Sequence, residues 1–230
     1  MIELLVTKRM QAEEQAWWSS QGISLRSIPL LQTQILALYS FADCQESIFI
    51  FTSKKAIHSL HQQLTSAQWQ SISNRNIACV APVSNAYLET LGLKADITAN
   101  SGKELAEEIK ARFSPQVVRY FCSLAPSPYL ADTLQEAGFN VRRSRLYKTI
   151  LSPQDIDWQL ARGIIFYSPS AVKSFFQANE WPADKLAFAI GPVTARALYD
   201  HNIPCAGYPE AAQKEALLAT LSPHLQLQNS

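Results

Sequence analysis

Five short stretches hold most of the side chains that can do chemistry: Thr7-Lys8-Arg9, Thr52-Ser53-Lys54-Lys55, Ala81-Pro82-Val83-Ser84, Ser168-Pro169-Ser170 and Gly191-Pro192-Val193-Thr194. Each follows a short apolar run and precedes a segment with helical spacing. Each offers hydroxyls together with backbone N–H groups that have no intrahelical partner. A helix start of this kind binds anions through those free donors and the positive end of its dipole. Ser and Thr are also favoured N-caps, and Pro is favoured at the first helical position, so any one turn taken alone reads first as plain capping. Two similar sets of such turns facing each other across a cleft point instead to a large, multiply anionic ligand.

Several other chemistries lack their parts. No Gly-x-Gly-x-x-Gly follows a strand, no phosphate loop of the Gly-x-x-x-x-Gly-Lys-Ser/Thr type is present, and no Gly-x-Ser-x-Gly elbow occurs. His58 and His61 stand one helical turn apart and could share a metal, but no third ligand is near in the chain, so they read as surface histidines and no metal is expected. Glu13-Glu14 and Glu107-Glu108 read as exposed helix faces. The basic run from Arg142 to Lys148 reads as a solvated linker or the wall of an anion site, because the net charge is only +1 and there is no basic stripe for nucleic acid. Cys44, Cys79, Cys122 and Cys205 are far apart and form no C-x-x-C pair, the usage of reduced, buried thiols.

The elements that must position those turns repeat. Phe51-Thr52-Ser53-Lys54-Lys55-Ala56-Ile57 lies under Phe166-Tyr167-Ser168-Pro169-Ser170-Ala171-Val172, and Pro82-Val83-Ser84 lies under Pro192-Val193-Thr194. The stretch from Leu4 matches that from Tyr120, with Gly22 opposite Gly138, and the order is kept along the whole chain. The chain is therefore two diverged copies of one unit, with a period too long for a solenoid. Strands are expected at Ile2–Val6, Ile48–Phe51, Ile77–Val80, Val117–Phe121, Ile164–Phe166 and Leu186–Ile190, short and nearly continuously apolar as buried parallel strands are. Helical spacing fills the intervals, as in Ile57, Leu60 and Leu64, and Ser101-Gly102-Lys103-Glu104 has the pattern of a capping box.

Residues 25–35 and 141–151 fit neither element, being extended in character but too polar for a sheet centre. They suit two antiparallel linker strands. The expected fold is α/β: two parallel-sheet lobes from an internal duplication, joined by a two-stranded antiparallel linker. Lobe one takes 1–30 plus 152–230, lobe two takes 36–140, and 31–35 and 141–151 are the linker strands. The chain has 230 residues, 47% of them apolar and 17% charged, enough apolar material for two such cores. No apolar run approaches the roughly 20 residues that span a bilayer, and the N-terminus lacks a signal-peptide layout. A cytoplasmic protein with no membrane or nucleic-acid partner is expected.

The succession of "FTS" plus helix, "GPVTARAL", "FYSPSAV" and the linker "LYKT" resembles uroporphyrinogen-III synthases over essentially the full chain. The resemblance implies two α/β lobes on a two-stranded linker. It also implies a cofactor-free and metal-free lyase of tetrapyrrole and haem biosynthesis. Such an enzyme closes linear hydroxymethylbilane into a ring, with loss of water and inversion of the last pyrrole. It implies a monomer that takes its substrate by transient handover from the preceding enzyme. Tyr147 matches the family's linker tyrosine and Thr194 the second threonine of its Gly-Pro-Thr-Thr-Ala pattern, and both are expected in catalysis. Thr52, Ser53, Lys55, Ser84, Ser168, Ser170, Lys8 and Arg9 are expected to bind substrate. This chain departs from the pattern at Val193 for the first threonine, at Ala81 for a glycine, at Lys8-Arg9 for Arg-Pro and around Pro126-Ser127 for Gly-Arg. The alternative from a different class is a non-catalytic, two-lobed binding protein for a small, multiply anionic ligand.

Overall fold

A computed structural model describes residues 1–39, 41, 46–211 and 213–225. Cys44 lies outside the described residues. The chain opens with β1 (Ile2–Val6), α1 (Ala12–Ser20), β2 (Ile23–Ser27) and β3 (Leu31–Ile35). It continues through β4 (Ile48–Phe51), α2 (Lys54–His61), α3 (Ser66–Ser71), β5 (Asn76–Val80), α4 (Val83–Thr90), β6 (Ile97–Ala99) and α5 (Gly102–Arg112). Then come β7 (Val117–Ser123), α6 (Tyr129–Glu136) and β8 (Asn140–Leu151). The last elements are β9 (Gly163–Phe166), α7 (Pro169–Phe175), β10 (Leu186–Ala189), α8 (Pro192–Asp200), β11 (Cys205–Gly207) and α9 (Lys214–Leu225).

Two compact units result, Met1–Gln32 with Ile150–Ser230 as unit one, and Thr33–Thr149 as unit two. Sheet one runs β11-β10-β9-β1-β2, every pair parallel. Sheet two runs β3-β8-β7-β4-β5-β6, parallel from β8 to β6. The two orders are the same once β7 and β8 are set against β1 and β2, and β4, β5 and β6 against β9, β10 and β11. Leaving the added edge strand β3 aside, each sheet thus takes two strands from one half of the sequence and three from the other. This is a doubly wound order, and its switch point lies between β1 and β9 in one sheet and between β7 and β4 in the other.

The central strands show why. The residues of β4, Ile-Phe-Ile-Phe, and those of β9, Gly-Ile-Ile-Phe, are all buried, which requires helices on both faces. On one face of sheet two Phe121 stacks on Phe51 at 5.0 Å and meets Phe49 edge-on at 5.1 Å. Ile48, Ile50, Leu105 and Leu130 fill the other face. Burying each such side chain stabilises the fold by roughly 1.5–3 kcal/mol. Gly22 and Gly138, matched in the two sequence halves, end α1 and α6 at φ +78° and +86°. That left-handed conformation is open to glycine at little cost.

The sequence expectation missed β2, β6 and β11, which are short strands beside or at the sheet edges. It also understated residues 141–151. Leu36 N donates to Leu146 O (2.8 Å) and Ser152 N to Leu30 O (2.9 Å), the antiparallel sense of a two-stranded linker. Yet β8 pairs in parallel with β7 from Asn140 to Tyr147 as well, so its first half is a full sheet strand. Its polar residues are tolerated because only the short β3 lies beyond it. The capping box is displaced: Ser101 Oγ accepts from Glu104 N (3.2 Å), but the Glu104 carboxylate accepts from Asn100 N (3.1 Å).

Candidate functional site

In unit two the buried run of β4 ends at half-buried Thr52 and Ser53, and α2 starts at once. Ser53 Oγ accepts from Lys55 N at 3.1 Å and is an N-cap. A capping hydroxyl accepts, so its own proton remains free for a ligand. Helix α2 buries Ala56, Ile57 and Leu60 and leaves Lys54, Lys55 and His58 outward. A cavity of about 770 Å³ opens there, lined by Thr52, Ser53, Lys55, His58, Ser84 and Tyr87 among others. A second, of about 480 Å³, is lined by Ser101, Lys103, Tyr120, Ser127 and Tyr147 and shares Thr52, Ser53 and Val80 with the first. Thr52 and Ser53 therefore stand where the two cavities meet.

The lining has one electrostatic sense. Among the described residues, those lining the two cavities include Lys54, Lys55 and Lys103 and no carboxylate. They also include the first residues of α2, α4, α5 and α6, so four helix N-termini border the same edge of sheet two. Oriented donors and cations together give this edge the chemistry to receive anions. Lys54 Nζ lies 4.5 Å over the Tyr87 ring, and the Tyr87 hydroxyl lies 3.0 Å from His58 Nδ1. His61 instead packs edge-on against Trp69 at 4.7 Å. The two histidines weighed as a metal pair thus have different neighbours. Deeper in, Thr52 Oγ1 and Tyr120 Oη are 2.9 Å apart, and burial pushes the Tyr120 phenol up.

Unit one carries the matching turns with different occupants. Thr7 Oγ1 accepts from Tyr167 N at 2.9 Å, tying the tip of β1 to that of β9. Lys8 pairs with Glu14 at 2.8 Å and lies 4.4 Å over the Tyr167 ring, so its charge is already answered within the unit. Burial pushes the Tyr167 phenol up, and Glu14 adds to the shift. Ser168 caps α7 through Ala171 N at 3.2 Å, while Ser170 and Arg9 are exposed. After the prolines the two units agree. Val193 is 71% exposed over a Thr194 that is 3% exposed, and Val83 is 64% exposed over a Ser84 that is 4% exposed. The apolar residue faces out and the hydroxyl residue is turned in.

Of the residues singled out in the sequence, Thr52, Ser53, Lys55, Ser84 and Tyr147 line the two cavities of unit two. Lys8, Arg9, Ser168, Ser170 and Thr194 stand at the tips of β1, β9 and β10 in unit one. Sequence reasoning missed Tyr120 and Tyr87 and set His58 aside. Tyr120 lies in the apolar run of β7 and reads as core; Tyr87 is one aromatic on an amphipathic helix. The only usable signal was the repeat itself, which sets Tyr120 against Leu4, a phenol against an aliphatic side chain.

Among the described residues no group of three or more His, Cys, Asp or Glu is placed to hold a metal ion. No helix among them is long and apolar enough to cross a membrane.

The family model described as HEM4, uroporphyrinogen-III synthase HemD, matches residues 18–219. The chain has no significant match by sequence among curated proteins. A solved uroporphyrinogen-III synthetase from Helicobacter pylori superposes with a TM-score of 0.71 at 20% identity, over 99% of this chain and 100% of that one. A mutant uroporphyrinogen III synthase from the extremely thermophilic bacterium Thermus thermophilus superposes with a TM-score of 0.55 at 15% identity, over 99% of this chain and 100% of that one. At such identities the likeness concerns the fold.

Proposed function

Because this chain belongs to the uroporphyrinogen-III synthase family, a family of cyclising hydro-lyases of haem biosynthesis, we propose that the strand tips of unit two bind and orient hydroxymethylbilane for ring closure with inversion of its last pyrrole. The observation that carries this reading is the paired cavity whose lining, among the described residues, has four helix N-termini, three lysines and no carboxylate. At about 770 Å³ the larger cavity is within the ~300–1,000 Å³ usual for ligand pockets. The substrate carries eight carboxylates, and N-terminal amides with Lys54, Lys55 and Lys103 answer several of them.

The reaction asks mainly for positioning. The hydroxyl of the substrate's hydroxymethyl group leaves as water after taking a proton, while the electron pair of the adjacent pyrrole nitrogen forms a cationic azafulvene. The substituted carbon of the last ring attacks that methylene carbon to give a spiro intermediate. The older bond of the spiro carbon, to the methylene of the preceding ring, then breaks and leaves a second cationic azafulvene there; the free carbon of the last ring attacks that methylene to close the ring, and a proton is lost to restore the pyrrole. An unheld chain closes without inversion, so holding the last ring near its attack geometry is the chemical task. Tyr147 and Thr52, which line the smaller cavity, are proposed as donors to the departing oxygen. Phenols and alcohols are weak acids for this step, so each is assigned a helping role. Lys55, Ser53 and Ser84 are assigned to substrate binding. In unit one, Arg9, Ser168 and Ser170 are proposed as further carboxylate contacts and Thr194 as a further donor, whereas Lys8, expected from the sequence to bind substrate, is held by Glu14. No metal or organic cofactor enters these steps.

We also read the protein as a cytoplasmic monomer that receives its reactive substrate directly from the preceding enzyme. The test of the function is to incubate the protein with hydroxymethylbilane generated in place and to separate the porphyrin isomers after oxidation. Type III product above the spontaneous type I background supports the synthase. A binding-only protein would leave type I unchanged at every protein concentration.

A further inference from the structure

We propose that Tyr120 is a positioning residue for the ring-closing reaction: its buried hydroxyl holds the hydroxyl of Thr52 so that the Thr52 proton is aimed at the ligand where the two unit-two cavities meet. The inference rests on the reading of those cavities as the substrate site. Thr52 borders both cavities, whereas Tyr120 borders only the smaller. Tyr120 is 3% exposed and packs in the apolar layer of Ile50, Cys122 and Leu130. A buried phenol must find a partner, and the Thr52 oxygen, 2.9 Å away, provides it.

The direction of that hydrogen bond follows from acidity. A phenol is a better donor than an aliphatic alcohol, and burial raises the Tyr120 pKa further, so the group stays protonated. Tyr120 therefore donates and Thr52 accepts. The proton of Thr52 is left for another acceptor, and half-buried Thr52 opens onto the cavities. Its β-branched side chain restricts χ1, so the hydroxyl is constrained by its own rotamer and by Tyr120 together.

The repeat shows that the fold does not need a phenol at this place. The sequence match sets Tyr120 against Leu4 and Thr52 against Tyr167, whereas the strand register, with Tyr120 beside Ile50 and Val6 beside Ile165, sets Tyr120 against Val6. Leu4 and Val6 are both fully buried aliphatic residues of the equivalent strand of sheet one, where neither side chain can offer a hydrogen bond. The hydroxyl pair is thus a feature of unit two alone, laid over the same backbone plan.

The experiment is a double-mutant cycle on Tyr120→Phe and Thr52→Val, read as kcat/KM for type III formation and as the III:I isomer ratio. Tyr120→Phe alone is expected to lose about 3- to 10-fold in kcat/KM, the scale of one neutral hydrogen bond. In the Thr52→Val background the same change should cost nothing further, because there is no hydroxyl left to position. In the Thr52→Ser background the cost should return. Full activity of Tyr120→Phe, or losses that multiply in the double variant, overturns the proposal. Thermal unfolding of each variant is followed alongside. If Tyr120→Phe does not fold, Tyr120→Leu takes its place in the cycle. A wild-type protein that gives only type I product overturns the site reading together with this one. A wild-type protein that gives type III, with multiplying losses in the cycle, overturns only the role of Tyr120.

Discussion

Replacing Tyr147 separates a donor from a packing element. Tyr147 lies on β8 where the ladder to β7 slips by a residue, so that Ser123 pairs with Tyr147. It is 8% exposed, belongs to the apolar layer with Phe51, Phe121 and Leu146, and lines the 480 Å³ cavity. Tyr147→Phe keeps the ring in that layer and removes only the hydroxyl. If the hydroxyl acts in the transition state, its loss costs roughly 1–3 kcal/mol, about 5- to 150-fold in rate. Backbone donors at the helix starts remain, so activity should survive. Tyr147→Ala also removes the ring, which for a buried aromatic costs about 3–5 kcal/mol of stability. For a chain of this size that lowers the unfolding midpoint by about 6–20 °C. The assay is the initial rate of type III formation, with thermal unfolding of the same samples. A full rate in Tyr147→Phe together with a large loss in Tyr147→Ala would refute the donor role and leave Tyr147 as packing.

Other perturbations probe the remaining parts. Lys54→Gln and Lys55→Gln should each raise KM about 2- to 5-fold with kcat little changed, and the effect should shrink in high salt, since both ammonium groups are exposed; titrating substrate at two ionic strengths checks this. Gly163→Ala should destabilise unit one by more than about 2 kcal/mol in a denaturant titration, because a Cβ there would lie 2.3 Å from the Leu186 carbonyl oxygen. Gly191→Ala should change stability by under about 0.5 kcal/mol, since a Cβ at Gly191 meets nothing within 4 Å and unit two already carries Ala81 in that place. Burial raises the thiols of Cys79 and Cys122 to about 11, so at pH 8 on the order of 0.1% of each is thiolate and both should resist alkylation until the protein unfolds, as peptide mass mapping will show.

The parts of the fold legible in the sequence were those with buried, continuous apolar runs. β4 and β9 are buried on both faces and so carry no competing polar signal. β6 and β11 have three residues each, Ile-Thr-Ala and Cys-Ala-Gly, too few for a period to show. β8 reads as a linker because the polar run Arg142-Arg143-Ser144-Arg145 interrupts its apolar residues; the ladder to β7 that makes it a sheet strand is a contact between distant residues. The site divides in the same way. Thr52, Ser53 and Lys55 could be found because a strand end running into a helix start is local in sequence. The Thr52–Tyr120 and His58–Tyr87 contacts join different elements, and no spacing rule reaches them. Lys8 shows the converse: the sequence offers a cation, and Glu14, in the first turn of the following helix, takes it up.

The central claim is that the strand tips of unit two hold the tetrapyrrole. Amide hydrogen exchange with and without a stoichiometric tetrapyrrole product tests it directly. Slowed exchange is expected at the starts of α2, α4, α5 and α6, at residues 53–56, 83–86, 102–105 and 129–132, because the first residue of each of these helices lines one of the two cavities. Unchanged exchange at all four helix starts, with product bound, would contradict the account.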